Sequence, residues 1–161
     1  MAILRRLAPL LVASSGLLGP GCAQHICTLV GGEDGLHVTV TVEGGKLPPG
    51  DYTFVARVGD VEVTANGMIF ADGNHRPGRG EGSVEGKQLV LDGSLSSGFG
   101  RITVRFREGR GPTSVALEIR HEGVALGGQA YAPRYAAVYP NGEDCSPELQ
   151  QATGSLVIAA P

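Results

Sequence analysis

The chain has 161 residues, with 13 basic and 16 acidic side chains and a formal charge of −3. This length suits a single domain, and the mild acidity argues against a nucleic-acid-binding protein, because such proteins need a basic surface to meet phosphates. The 26 glycines and 10 prolines follow no collagen-like period, and valine, leucine and isoleucine remain plentiful between them. This composition indicates an all-β domain with many turns rather than a disordered chain.

The first segment has the three-part layout of a secretory signal peptide. Two arginines lie within residues 1–6, an apolar stretch covers residues 7–18, and small residues follow. A membrane-spanning helix needs about 20 apolar residues, and this stretch is shorter and contains Pro9. We therefore expect residues 1–22 to be an export signal outside the fold. Removing Arg5 and Arg6 leaves 11 basic against 16 acidic residues, a formal charge of −5.

Two cleavage sites fit the end of this segment. The stretch LLGPGC, which ends at Cys22, resembles a bacterial lipobox, and cleavage there makes Cys22 the lipid-modified first residue of a lipoprotein. It departs from the usual pattern, because Gly19 stands where a leucine is usual and Pro20 follows it. The alternative is ordinary signal cleavage after Ala23. The first cut predicts a periplasmic or outer-membrane lipoprotein held only by the lipid on Cys22, and the second a periplasmic or secreted protein.

Either cut leaves Cys27 and Cys145 as a pair in an oxidising compartment, where disulfide bonds persist. We expect these two cysteines to form a disulfide that joins the two ends of the domain. In the chain-entropy model, a bridge that closes a loop of about 100 residues stabilises a fold by roughly 4.7 kcal/mol. The predicted bridge therefore contributes a large share of the stability of a domain this size.

The body of the chain alternates short β-patterned segments with turn signals. Apolar and polar side chains alternate over residues 36–43, which is typical of a strand with one buried face. Further strands are predicted at residues 51–58, 61–65, 68–71, 83–91, 101–107, 115–120 and 124–131. Turns are predicted at Gly59-Asp60, Asn66-Gly67, Asp92-Gly93 and Glu122-Gly123. Strands and turns at this spacing are typical of a β-sandwich.

Two segments depart from this pattern. Residues 72–82 contain several glycines and no apolar side chain, so we expect a mobile, dispensable loop. Near the C-terminus, Ser146 as N-cap and Pro147 as first helical residue predict a short helical turn through residues 149–152. Residues 153–161 are expected to be a partly ordered tail, with residues 155–160 as either a last strand or frayed chain. The β-sandwich domain then covers residues 27–152.

Both ends of this domain resemble a known group of proteins. The stretches CTLVGGEDGL at residues 27–36 and YPNGEDCSPELQQA at residues 139–152 are similar to the two ends of a group of uncharacterised exported or lipoprotein-like proteins of myxobacteria and their relatives. In that group a second cysteine follows each of these two, and Gly32 and Leu149 stand in those places here. The resemblance implies export to the cell envelope and the fold, and it implies no activity.

A second resemblance concerns the fold type. The stretch LPPGDYTF at residues 47–54 resembles the turn-to-strand signature of immunoglobulin-like and transthyretin-like sandwiches. The predicted fold class is therefore all-β, a single immunoglobulin-like or transthyretin-like β-sandwich with a short C-terminal helical turn.

No catalytic or metal pattern stands out. The four histidines are too far apart in the sequence for the spacing of zinc ligands. Asp72 and Asn74 lack the bidentate acid of a calcium loop, and no serine lies in a strained nucleophile motif. We therefore expect no cofactor, no metal and no enzyme activity. A hydrolase with a site that spacing does not reveal is the enzymatic alternative.

The candidate ligand site is a basic face on one strand. Arg101, Arg105 and Arg107 alternate along residues 101–107, and Arg76, Arg79 and Arg110 are close in sequence. Such a face suits an anionic polysaccharide or a lipid headgroup. Alternating arginines also discourage edge-to-edge aggregation, which is the alternative interpretation. The few aromatic residues and the lack of tryptophan argue against a site that stacks on sugars.

These observations predict an exported cell-envelope protein with a binding or structural role. Its expected partner is another envelope protein or an anionic surface polymer, with no nucleic acid. An accessory subunit or inhibitor that acts by protein contact is the main alternative.

Overall fold

The computed structural model describes residues 32–143, 145 and 148–161. These residues form eleven strands and contain no helix: β1 (Gly35–Glu43), β2 (Gly50–Val58), β3 (Val61–Ile69), β4 (His75–Arg76), β5 (Gly78–Val84), β6 (Lys87–Leu95), β7 (Phe99–Phe106), β8 (Val115–His121), β9 (Val124–Tyr131), β10 (Ala136–Val138) and β11 (Leu149–Ala159). The strands form two sheets that pack face to face, so the predicted all-β sandwich is confirmed.

The two sheets have six and five strands. The six-stranded sheet has the order β10-β11-β1-β7-β6-β5, and the five-stranded sheet has the order β4-β3-β2-β8-β9. Strand β1 pairs in parallel with β11 and antiparallel with β7. The alternation predicted for residues 36–43 is confirmed, because Leu36, Val38 and Val40 are at most 1% exposed and belong to the core between the sheets.

One side of the sandwich is closed by the segment predicted to be a loop. The prediction for residues 72–82 is wrong, because this segment contains β4 and most of β5. Gly78, Gly80 and Gly82 alternate with polar residues, so the positions without side chains turn inward. A Cβ atom at Gly80 would lie 2.7 Å from the carbonyl carbon of Thr64 on β3. The glycines therefore allow the backbone of β5 to pack directly on the opposite sheet.

The other side is closed in a similar way by β9 and β11. A Cβ atom at Gly127 of β9 would lie 2.8 Å from the carbonyl oxygen of Val157 on β11, and one at Gly154 would lie 2.8 Å from the Tyr131 ring. The Tyr131 hydroxyl donates a hydrogen bond to the Ser155 carbonyl oxygen at 2.7 Å. Small residues thus bring the two sheets together at both margins.

Two of the four predicted turns are confirmed. The backbone turns at Gly59-Asp60 between β2 and β3, and at Glu122-Gly123 between β8 and β9. Both glycines have a positive φ, 57° and 84°, which a glycine adopts without strain. A further turn lies at Glu85-Gly86. The prediction of a single strand at residues 83–91 is therefore wrong, because these residues are divided between β5 and β6.

The other two predicted turns, Asn66-Gly67 and Asp92-Gly93, are wrong. Both pairs lie inside strands, β3 and β6, and both glycines pack against Phe54 of β2. Glycine is required here because a large ring occupies the space of its missing side chain, and not because the chain reverses.

The predicted helical turn at residues 149–152 is also wrong, because β11 covers Leu149–Ala159. This strand pairs with β1 over nine residues, from Gln151 to Ala159, and thus includes most of the predicted tail. Its Leu156 and Ile158 are at most 2% exposed. Pairing with β1 and burial of these side chains outweigh a local helix signal worth about 1 kcal/mol.

The resemblance at residues 47–54 has a structural counterpart. The Tyr52 hydroxyl donates a hydrogen bond of 2.6 Å to the carbonyl oxygen of Pro48, four residues upstream. A tyrosine that bonds back to the preceding backbone is also a feature of immunoglobulin-type sandwiches. The bond holds the entry of β2 against the core, since Tyr52 is fully buried.

Cys145 is 6% exposed and disulfide-bonded. Cys27, the lipobox at Cys22 and the rest of residues 1–31 lie outside the described residues, as do Ser146 and Pro147. The pairing with Cys27, the lipid on Cys22 and the export signal at residues 1–22 therefore stay predictions.

Candidate anion-binding face

The three predicted arginines have different surroundings. Arg101 and Arg105 lie on the outer face of β7, and Arg107 follows the end of that strand. The Arg105 Nε atom lies 3.3 Å from the Glu33 carboxylate, and its side chain is only 15% exposed. The Arg107 guanidinium lies 3.3 Å from the Glu81 carboxylate. Carboxylates therefore neutralise two of the three candidate cations.

Arg101 is the exception. It is exposed, and it makes no ion pair or side-chain hydrogen bond within the part of the chain that the structure describes. Its strand lies between β1 and β6, where Thr39 and Ser94 are its cross-strand neighbours. These two neighbours carry neutral hydroxyls, which can hydrogen-bond a ligand without competing for its charge.

Three shallow openings on the outer face of the six-stranded sheet meet at Arg101. Their volumes are about 520, 320 and 300 Å³, and Arg101 lines all three. We call the combined depression the Arg101 groove, whose polar and aromatic side chains are those of Glu33, His37, Thr39, His75, Arg79, Asp92, Ser94, Ser96, Phe99, Arg101, Thr103, Gln151 and Thr153. Because most of these residues stand on paired strands, the groove is preformed.

His37 and Thr103 form the floor at one end of the groove. The His37 Nε2 atom lies 3.0 Å from the carbonyl oxygen of Glu33, which can only accept, so Nε2 carries a proton. In the neutral ring Nδ1 then accepts a hydrogen bond from the Thr103 hydroxyl at 3.3 Å. This pair lacks the orienting acid of a nucleophilic triad, because a backbone carbonyl occupies that place. The arrangement holds the imidazole in position within the groove.

The other three arginines predicted near this face lie in different places. Arg76 is exposed on β4, at the edge of the five-stranded sheet, and lines none of the three openings. Arg79 of β5 lies in register with Asp92 of β6, and its guanidinium is 3.6 Å from that carboxylate and 3.2 Å from Glu81. The hydrogen bond from Arg79, together with the Arg107 charge, lowers the pKa of Glu81. Arg110 instead lines a separate opening of about 690 Å³, between the β2–β3 turn, the β5–β6 turn and the β7–β8 connection. Charged residues of both signs line that opening, so it has no single charge preference.

Phe99 is the groove residue that the sequence analysis missed. Its side chain is 69% exposed and lines the same opening as Arg101, two residues before it on β7. Extending the two-residue period of the arginines backwards from Arg101 places Phe99 on the outer face, so the alternation could have revealed it. An exposed aromatic side chain beside an unpaired guanidinium changes what the groove can bind.

The outer face of the five-stranded sheet is charged but self-compensated. The Arg57 guanidinium bonds Glu62 at 2.8 Å and Glu118 at 3.0 Å, and Arg120 donates a second hydrogen bond to Glu118. The hydrogen bond from Arg120, and after it the one from Arg57, lowers the pKa of Glu118. The charged side chains of this second face are therefore paired with one another and are not available to a ligand.

Neither a metal cluster nor a membrane-spanning helix marks the described residues. No group of three or more histidine, cysteine, aspartate or glutamate side chains suited to a metal occurs among the described residues. Within those same residues, no helix has the length and apolar character needed to cross a membrane. No family model matches the chain, and no curated protein or solved structure shows a significant similarity to it.

Proposed function

We propose that this protein is an exported cell-envelope module that binds an anionic polymer in the Arg101 groove and carries out no catalysis. The observation that carries the proposal is the exposed Arg101 guanidinium, which has no carboxylate partner among the described residues and lies where three openings meet. A planar guanidinium offers several donors in one orientation, which matches a carboxylate, sulfate or phosphate group.

The neighbouring ion pairs support this assignment. Arg79, Arg105 and Arg107 are engaged with carboxylates, so they do not compete with Arg101 for a ligand. Arg101 needs no rearrangement before binding, because no internal partner has to be released. A preorganised donor on a rigid strand binds more tightly than one that must first break an ion pair.

The proposal also includes the export and the anchoring of the protein. The segment 1–22 directs export, Cys22 carries the lipid anchor and Cys27 pairs with Cys145 in the mature protein. A lipid-anchored sandwich presents a sheet face to the polymers of the envelope, which agrees with a binding role.

The test is a binding measurement on the mature chain with two anionic probes, polygalacturonate and inorganic polyphosphate, and neutral dextran for comparison. We expect at least one anionic probe to bind, dextran not to bind, and Arg101→Ala to weaken binding about tenfold or more, as for other charged hydrogen bonds. Arg134→Ala is the matched control, since Arg134 is exposed and lies outside the groove. If neither anion binds, or if Arg101→Ala behaves like Arg134→Ala, the proposed function is wrong.

A further inference from the structure

The geometry points to a more specific ligand: an acidic polysaccharide that places a sugar ring on Phe99 and a carboxylate on Arg101. This inference rests on the proposed function, because it identifies the polymer bound by the same groove. Its basis is the combination of one unpaired cation, one exposed aromatic ring and a wall of hydroxyl groups.

The first step is the charge of the face. Three arginines near Arg101 form ion pairs with three carboxylates, namely Arg79, Arg105 and Arg107 with Glu33, Glu81 and Asp92. Arg101 has no carboxylate partner among the described residues. Densely charged polyanions such as polyphosphate or nucleic acid gain affinity from many unpaired cations at once. A single cation instead suits a polymer that carries isolated carboxylates along a neutral backbone.

The second step is the position of Phe99. Phe99 and Arg101 are two residues apart on one face of β7, so their Cα atoms are about 7 Å apart. Both side chains line the same opening, so one ligand can contact the ring and the guanidinium together. The 69% exposed ring offers a flat apolar surface to the C–H face of a sugar. A phosphate polymer has no group that benefits from this surface.

The third step is the chemistry of the walls. The opening shared by Phe99 and Arg101 is also lined by Thr39, Ser94 and Ser96. A hydroxyl group donates one hydrogen bond and accepts two, as the hydroxyls of a sugar do. The groove therefore provides a partner for each part of a uronic acid unit: its ring face, its hydroxyl groups and its carboxylate.

The experiment compares three probes by calorimetry on the mature chain: oligogalacturonate, its methyl ester and inorganic polyphosphate. The variants are Phe99→Ala and Arg101→Ala, with Phe70→Ala as the matched control, because Phe70 is 41% exposed and lies outside the groove. We expect oligogalacturonate to bind more tightly than polyphosphate at equal charge, and methyl esterification to weaken binding about tenfold or more. Phe99→Ala should weaken oligogalacturonate binding about two- to tenfold and leave polyphosphate unaffected, while Phe70→Ala changes neither.

The outcomes separate this inference from the proposed function. Tighter binding of polyphosphate, or a Phe99→Ala variant that binds oligogalacturonate like the unaltered protein, overturns the glycan assignment while Arg101→Ala still shows an anion site. If Arg101→Ala binds both anionic probes as tightly as the unaltered protein does, both proposals are wrong. Melting temperatures equal to that of the unaltered protein show that the two groove variants are folded, which is expected because both side chains are exposed.

Discussion

Gly93 of β6 lies directly against the ring of Phe54 of β2, so that a Cβ atom at position 93 would stand 2.5 Å from the Phe54 Cδ2 atom. Gly67 approaches the same ring, since its Cβ atom would lie 3.0 Å from Phe54 Cε2. Phe54 is 1% exposed and occupies the space that the two glycines leave empty. One large side chain thus ties the two sheets together where the sequence pattern suggested turns.

We expect Gly93→Ala to destabilise the protein by about 1–3 kcal/mol, because the new methyl group overlaps the Phe54 ring and overpacks the core. The measurement is the midpoint of urea unfolding. Gly98→Ala is the matched control, since no atom lies within 4 Å of its Cβ position and its backbone is not left-handed. The packing account fails if the two alanine variants unfold at the same urea concentration.

The glycine-rich segment around β5 is expected to be indispensable. Deleting residues 73–80 removes β4 and the start of β5, and we expect the cooperative unfolding transition to be lost, because the edge of β6 and the core beneath it become exposed. The milder change Gly80→Ala should cost about 1–3 kcal/mol, since its Cβ would press on the Thr64 backbone. A deletion variant that melts only a few degrees lower would restore the loop interpretation.

Glu118 should contribute to stability in a pH-dependent way. Hydrogen bonds from Arg120 and then Arg57 lower its pKa below the usual 4.5, so its contribution is complete above that pH and is lost as the pH falls through the lowered pKa. We expect Glu118→Gln to unfold at less urea than the unaltered protein at about pH 7 and at nearly the same urea at about pH 2. Glu43→Gln, at an exposed position without an ion pair in the described part of the chain, should show no difference at either pH.

The alkaline limit of stability should report on Tyr52. Burial, and then the charge of Glu122, raise the pKa of Tyr52 to about 12. Its contribution to stability is therefore complete below pH 10, the ordinary value, and is lost between there and about pH 12. We expect Tyr52→Phe to remove one late step from the tyrosinate absorbance titration and to cost about 1 kcal/mol through the lost bond to Pro48. Tyr139→Phe, at a 38% exposed position, should leave that late step in place.

The disulfide and the anchor are open to direct chemical tests. Non-reducing peptide mass spectrometry of the mature protein should find Cys27 linked to Cys145, because Cys145 is disulfide-bonded and either of the two predicted cleavages leaves Cys27 as its partner. Globomycin should cause the precursor to accumulate if Cys22 is lipidated. A mature chain that begins at Gln24 would instead establish ordinary signal cleavage after Ala23.

Much of the fold could be predicted because strand alternation is a local property. Residues 36–43 have one buried face whatever they pack against, and the turns at Gly59-Asp60 and Glu122-Gly123 connect strands that are neighbours in the chain. The same local signals at Asn66-Gly67 and Asp92-Gly93 were misleading. A glycine that relieves φ strain and a glycine that makes room for a ring are identical in the sequence.

The sequence by itself determined the all-β class, the alternation that exposes Arg101, and the pattern that predicts export. Only the tertiary structure decided which of the three candidate arginines lacks an ion pair in the described part of the chain, because the carboxylates of Glu33 and Glu81 come from distant segments and neutralise Arg105 and Arg107 but not Arg101. It also decided that residues 149–159 form a strand, since the partner that β11 pairs with in parallel lies at the other end of the domain. Contacts between distant segments follow from the packing of the whole chain, and no local pattern contains them.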